Sequence, residues 1–587
     1  MNYAYYITAR IIQSAGLLKG RKSPTASQEA SRWALILLQI AAGINWEECI
    51  RLNTFAIGFS GILLVCAIHA SNSAIGLWIQ DWLEERQRAS HLEEGSFPVL
   101  QTVDDGGGEG KFHSYHSQTL TSVMMYGKEK DADNMISYSV PFYVGKDIHH
   151  IPKPAVILDV ARVRRHCQSM LEAARALGVG FRAHVKTHKT IEGTRLQVGP
   201  GSGDIKLVVS TLAEIDHLLP LFKEYQGAGR HVDILYGIPL PPSQIPRLAA
   251  LGSELGKGSI SVMIDHPSQL DSVNRFSQQA KFPARIYLKV DTGYHRAGLP
   301  PTSLNKNGLV EALAQLEAQG EAELIGLYSH SSLSYKDSTP DQAMANLEGE
   351  IQGCLEAVHA QSHLFPKDKE ITISVGASPQ VTAIENLTNP EGDLSDAAES
   401  LRKAIQTVSS GKPGGLHTTL ELHAGVYSIL DLQQTSTNSR KDLRSFEEEI
   451  AISVVAEVCS VYNDNERSQP EALVAVGVLG LGREPCLSYP GWGVVNKAEL
   501  KFETKSKRRL IIDRVSQEHA IVAWEHGRDE KAADLPPLPL EVGQSLVIFP
   551  NHACITGALY GWYLVVDSSD EESPTKVVNV WVRASGW

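Results

Sequence analysis

From residue 150 to about 425, short apolar and β-branched runs alternate with stretches whose apolar positions recur every three or four residues. The runs are AVILD, FRAHVK, KLVVST, HVDILYG, SVMID, ARIYLKVDTG, LIGLYSH, ITISVGAS and TLELHAG. Such a run predicts a strand, and the 3.6-residue period between runs predicts a helix. Their alternation predicts βα units around a parallel sheet, and nine runs fit a (β/α)8 barrel of the TIM type with one strand left over. Most runs end in polar or small residues: Lys186, Ser210, Thr211, Asp265, Asp291, His330 and Ser378. In a barrel those ends share one rim, where active sites are built.

After residue 445 the pattern changes. EEIAISVVAEVCSVYN, EALVAVGVLG, HAIVAWEHG, SLVIFPNHACI, GWYLVVD and KVVNVWVRA are apolar runs separated by turn residues, with no helical period. They predict an all-β domain. Residues 389–415 read as a surface insertion ending in a Gly/Pro-rich loop, and TVDDGGGEGK at 102–111 reads as a linker. The fold expected is therefore α/β, a barrel plus an all-β domain behind an N-terminal extension.

Residues 54–79 carry no formal charge and are long enough to cross a bilayer, with basic residues before them and acidic ones after. His69, Asn72 and three serines weaken the apolar character. A membrane anchor, a buried hairpin and a loosely ordered extension all fit this segment, and its distance from Met1 is unlike a secretory signal.

Composition adds little to fold and more to partners. The 587-residue chain has a formal charge of -13 and no long basic stripe, which argues against a nucleic-acid surface. Its seven cysteines, Cys49, Cys66, Cys167, Cys354, Cys459, Cys486 and Cys554, are scattered without a CxxC spacing. That usage fits a reducing, cytoplasmic setting and no disulfide scaffold.

Two places carry chemistry. FRAHVKTHKT, residues 181–190, crowds Lys186, Lys189, His184 and His188 behind a helical pattern. A solvated loop accounts for such a run; so does a rim lysine that forms a Schiff base, since desolvation frees its amine as nucleophile. In PNHACIT, His552 and Cys554 stand two apart, which on a strand puts both side chains on one face. Packing explains most lone pairs of this kind. If the pair binds a metal, thiolate with imidazole favours zinc.

These segments, in order, carry a resemblance. KPAVILD, a helix and then RAHVKTHK resemble the opening of the fold-type III pyridoxal-phosphate enzymes, the alanine racemase-like barrels. KVDTGYHRAG, IGLYSHSSLSY, SVGASP, ELHAGVY, SQEH and PNHACIT follow in sequence. Together they resemble the family of eukaryotic D-serine dehydratases and D-threonine aldolases over about residues 112–587. Val426, where relatives carry Asn, and the lack of a glycine between His330 and Tyr335 depart from the family pattern.

The resemblance implies that Lys186 bonds pyridoxal phosphate covalently and that Lys189 is a neighbouring charge. It implies a phosphate turn at Gly376 and Ser378, and further cofactor contacts from Arg296, Tyr335 and Tyr427. It assigns AVILD to the β domain, so that 112–158 and 426–587 form that domain around a barrel of 159–425. The His552–Cys554 pair implies zinc and a D-serine dehydratase; D-threonine aldolases carry a carboxylate there that suits manganese or magnesium. His519 is a candidate partner for the metal-binding histidine. The resemblance also implies a small D-amino acid substrate and a homodimer. An amino-acid racemase and a non-catalytic pyridoxal-phosphate protein remain the other readings.

Overall fold

The computed structural model describes residues 142–587, apart from 368, 389–392, 500–507, 528–529 and 532–534. Strand β1 (Ala155–Asp159) is buried along its whole length. Eight parallel strands then close into a barrel in chain order: β2 (Gly180–His184), β3 (Ile205–Val209), β4 (Val232–Pro239), β5 (Ile260–Ile264), β6 (Ala284–Val290), β7 (Ala322–Ser329), β8 (Glu370–Val375) and β9 (His417–Ala424). These are eight of the nine runs read from the sequence. The surplus run is β1, which pairs antiparallel with β10 (Ile452–Tyr462) and parallel with β16 (Trp562–Val566).

Side-chain caps make the strand-to-helix handovers short. Asp159 accepts from the Ala161 amide and starts α1 (Val160–Ala176). Thr190 accepts from Gly193 N and starts α2 (Ile191–Val198); Thr211 accepts from Glu214 N and starts α3 (Leu212–Gly227). Each satisfies an amide that the first helical turn leaves unpaired. The effect is to pin the loops of the barrel rim close to the strands.

The barrel interior is only partly apolar. Val208, Leu235, Met263, Tyr287 and Tyr328 form a small cluster of their own. Beside it Arg182, with no exposed surface, donates through Nε to Glu421 Oε1 at 2.6 Å and through Nη2 to Asp233 Oδ2 at 3.0 Å. Lys206 and Arg285 reach the same two carboxylates at 3.1 and 3.2 Å. Charges this deep persist because each has a partner.

The remaining strands are β11 (Glu471–Val474), β12 (Gly493–Val495), β13 (Leu510–Val515), β14 (Ala520–Trp524), β15 (Ser545–Pro550) and β17 (Asn579–Val582). With β1, β10 and β16 they form one sheet, ordered β11-β14-β13-β12-β15-β10-β1-β16-β17. Ile148 and Ile151 pack with β1 against Val455, Leu564 and Val580, so the residues before β1 belong to this sheet as well.

Two expectations need correction. SLVIFPNHACI is not one strand: β15 stops at Pro550, and Asn551 spends its side-chain amide on the carbonyls of Glu484 and Gly491. The chain turns there into a short helix, Ala553–Ala558, with His552 at its N-cap. The insertion read at 389–415 is packed where it is helical: after α4 (Pro340–Gln361) and β8 it carries α5 (Asp396–Ser410), whose Ala398, Leu401, Ile405 and Val408 are buried at helical spacing, and it ends in a largely exposed turn at 411–415. The segment 54–79, the linker and residues 112–141 lie outside the described residues. Among the described residues, no helix is long and apolar enough to cross a membrane.

Candidate active site

Strand β2 ends at His184, and the chain then closes a turn in which Lys189 N donates to Val185 O at 2.8 Å. That turn separates the two lysines and the two histidines. Lys189 Nζ pairs with Glu214 Oε1 at 2.9 Å, and the fully buried Glu214 also accepts from Ser210 N. His188 is buried, bonded to Gln197 Oε1 at 2.9 Å, and accepts from Thr190 N at 3.0 Å. His184 accepts from the Lys186 amide at 3.3 Å, and its Nε2 meets Ser210 Oγ at 3.5 Å. Lys186 Nζ is half-buried and has no hydrogen-bond or ion-pair partner among the described residues.

The charge of this free amine reaches three histidines. Burial pushes His184 and His330 well below the usual imidazole range, with the Lys186 charge adding to it. Burial does the same to His423, helped by Lys289 and Arg182. All three are neutral. His330 Nδ1 lies 3.3 Å from His423 Nε2, and the His423 ring stacks on Tyr328 with centroids 4.1 Å apart. His423 Nδ1 lies 3.1 Å from Ser374 Oγ, which donates to Glu421 Oε1 at 3.0 Å. Lys289, at the end of β6, is pulled down to about 8 by burial and sits over the Tyr328 ring.

The other expected cofactor residues are spread around the same rim. Gly376 has φ +144°, and a Cβ there would meet His423 O at 2.4 Å. Ser378 Oγ accepts from Gly425 N at 3.3 Å and Tyr427 N at 3.2 Å, tying the ends of β8 and β9 together. Tyr427 contributes its backbone to this turn. Its ring packs edge-on against Phe181, and its hydroxyl lies by Cys167, in the core and not at the rim. Arg296 stands on the exposed loop after β6, over the Tyr294 ring, and its charge reaches His184 and His330. The Tyr335 hydroxyl meets Gln434 and feels the Cys554 thiol.

His552 and Cys554 come together despite the missing strand, because an N-cap and the second residue of a helix also point the same way. Each side chain acts on the other's proton affinity. Burial alone would raise the Cys554 thiol, but the His552 ring and Lys186 charge hold it below the usual value. Burial alone would lower His552, but Cys554 and Asp431 carry it up to about 9. Thr187 Oγ1 lies 3.2 Å from Cys554 Sγ, and Asp431 Oδ2 accepts from Ala553 N at 2.7 Å. The pair is thus bolted to the barrel beside Lys186. Among the described residues no group of three His, Cys, Asp or Glu gathers as a metal cage. The pair itself fits a soft divalent metal: an acidic thiol touches an imidazole whose buried Nδ1 has no partner. His519 sits on the exposed turn between β13 and β14, and Asp431 is the carboxylate that faces His552 instead.

The lysine turn likewise fits pyridoxal phosphate: its Lys186 amine is free, the buried histidines that its charge reaches have depressed proton affinities, and Gly376 at the end of β8 leaves no room for a Cβ. Sequence reasoning missed Thr187, Asp431, Ser374 and His423. Only His423 left a trace, as the one polar ring inside ELHAGVY.

Comparison with known proteins agrees with this geometry. The serine dehydratase domain family matches residues 451–566, and the alanine racemase N-terminal domain family matches 158–389. D-serine dehydratase of Schizosaccharomyces pombe is 35% identical over 451 residues, covering 76% of this chain and 94% of that protein. The Saccharomyces cerevisiae D-serine dehydratase is 30% identical over 462 residues, covering 76% and 98%. Among solved structures, D-threo-3-hydroxyaspartate dehydratase from Delftia sp. HT23 has the same fold, with a TM-score of 0.56 at 24% identity over 75% of this chain and 100% of that one. A cysteine-to-alanine mutant of that enzyme is described as a metal-free form. With 35% and 30% identity along 94% and 98% of the two D-serine dehydratases, the chain belongs to the D-serine dehydratase family of pyridoxal-phosphate-dependent lyases.

Proposed function

We propose that the protein is a zinc-dependent D-serine dehydratase that converts D-serine to pyruvate and ammonia. One contact carries the reading. Thr187, next to the free Lys186, hydrogen-bonds Cys554 at 3.2 Å, so the amine and the His552–Cys554 pair serve one mouth. The names of the yeast relatives support the substrate. The metal-free cysteine mutant of a neighbour supports a thiolate metal ligand.

Lys186 would hold pyridoxal phosphate, and its Nζ would take the Cα proton; the cofactor, when bound, would supply the electron sink for the charge left behind. The neutral imidazoles of His184, His330 and His423, which the Lys186 charge reaches, add no positive charge of their own. Gly376, Ser378 and the Tyr427 amide form the phosphate turn, while Arg296 and Tyr335 close the site from the loop side. His552 and Cys554 would hold zinc, which would supply Lewis acidity toward the β-hydroxyl. The released enamine hydrolyses in water, which returns the water lost with the hydroxyl, so D-serine alone balances pyruvate and ammonia.

The barrel is assigned to 159–425 and the β domain to 112–158 with 426–587, in a homodimer; gel filtration of the holoenzyme at half the dimer mass with full activity would refute the last point. Chelation is expected to abolish pyruvate formation from D-serine, and zinc to restore it. Release of glycine and acetaldehyde from D-threonine, restored better by manganese, would replace this reading with an aldolase.

A further inference from the structure

Glu421 is buried and accepts from Arg182 Nε, Lys206 Nζ and Ser374 Oγ. An ionised carboxylate only accepts, so the single hydroxyl hydrogen of Ser374 is spent on it. Toward His423, 3.1 Å away, Ser374 Oγ is therefore the acceptor, and His423 carries its proton on Nδ1. A neutral ring has one such proton, which leaves His423 Nε2 bare. His330 Nδ1 faces that bare nitrogen at 3.3 Å and must donate to it.

We infer that Ser374 and His423 are positioning residues, which through this one-way chain hold His330 with its proton on Nδ1 and its Nε2 as a bare hydrogen-bond acceptor. The buried Glu421 with its cations anchors the whole chain from within the barrel. Neutrality of both rings agrees with their depressed proton affinities. The inference rests on the proposed reaction only for its kinetic consequence, since a tautomer is readable without substrate.

The test is 15N NMR of histidine-labelled holoenzyme, with the His330 signals identified by their loss in His330→Gln. Expected are a protonated Nδ1 and a bare Nε2. Ser374→Ala should scramble this tautomer and lower kcat for D-serine roughly tenfold, within the range for losing an outer partner of a functional imidazole, with KM moving less than about twofold. Ser374→Thr keeps the hydroxyl and should restore both. His423→Gln, whose amide oxygen can replace Nε2, should keep the His330 tautomer where His423→Leu loses it. A protonated Nε2 on His330 in the unmutated protein, or an unchanged tautomer in Ser374→Ala, would overturn the inference. The expected tautomer in an enzyme that makes no pyruvate would overturn the dehydratase reading and leave this one standing.

Discussion

Lys186 and Lys189 lie three residues apart on one turn, yet the fold gives them opposite employment. Lys189 neutralises Glu214, which has no exposed side-chain surface, while Lys186 keeps its amine free at the mouth. Lys186→Ala should therefore abolish both bound-cofactor absorbance and activity. Lys189→Ala should keep the absorbance but lose about 3 kcal/mol or more of stability, because a buried carboxylate is left uncompensated; urea unfolding reads the difference. Thr187→Val, nearly isosteric, removes the hydroxyl from Cys554 and should weaken zinc binding at least about tenfold in a chelator competition, with Thr187→Ser close to unchanged. The resemblance separates the lysines into an anchor and a neighbouring charge. The sequence could not show Thr187, whose role depends on a cysteine 367 positions away.

At the scale of elements, the period of the apolar residues made the barrel legible, since all eight strands are runs with turn residues at their ends. Where that signal is short it failed. β12 has three residues, and β13 follows a charged stretch. In PNHACIT the mixed composition hid a strand end and a helix start, and the two residues share a side for a different reason from the one expected. The holding device is Asp431, whose oxygens accept from Gln434 N at 2.8 Å and Ala553 N at 2.7 Å. Asp431→Ala leaves two buried amides unpaired, so it should cost on the order of 2–4 kcal/mol and loosen the metal pair from the barrel. Chemical denaturation and zinc titration of one preparation would show both losses; a stability loss with unchanged zinc affinity would mean that Asp431 holds only the fold.

For the whole molecule, the cluster of neutral histidines sets the response to acid. Burial holds His184, His330 and His423 well below the usual imidazole range and His188 down to about 4. In the unfolded chain each would titrate near 6.5. As pH falls below that value the unfolded state takes up protons that the folded state refuses, so stability is full above about 6.5 and lost on the acid side. Each histidine contributes about 1.4 kcal/mol per pH unit while it stays neutral in the fold. His552, drawn the other way, is protonated in both states below about 6.5 and adds no slope there. Carboxylates such as Glu449, held down to about 2, act only at more acid pH. The urea midpoint of the apoprotein should accordingly drop steeply between about 6.5 and 5. His188→Gln, which keeps a hydrogen-bonding group toward Gln197, should make that drop shallower. A midpoint that stays level down to pH 5 would show that these rings charge inside the fold, and the neutrality of the histidines that the Lys186 charge reaches would have to be abandoned with it.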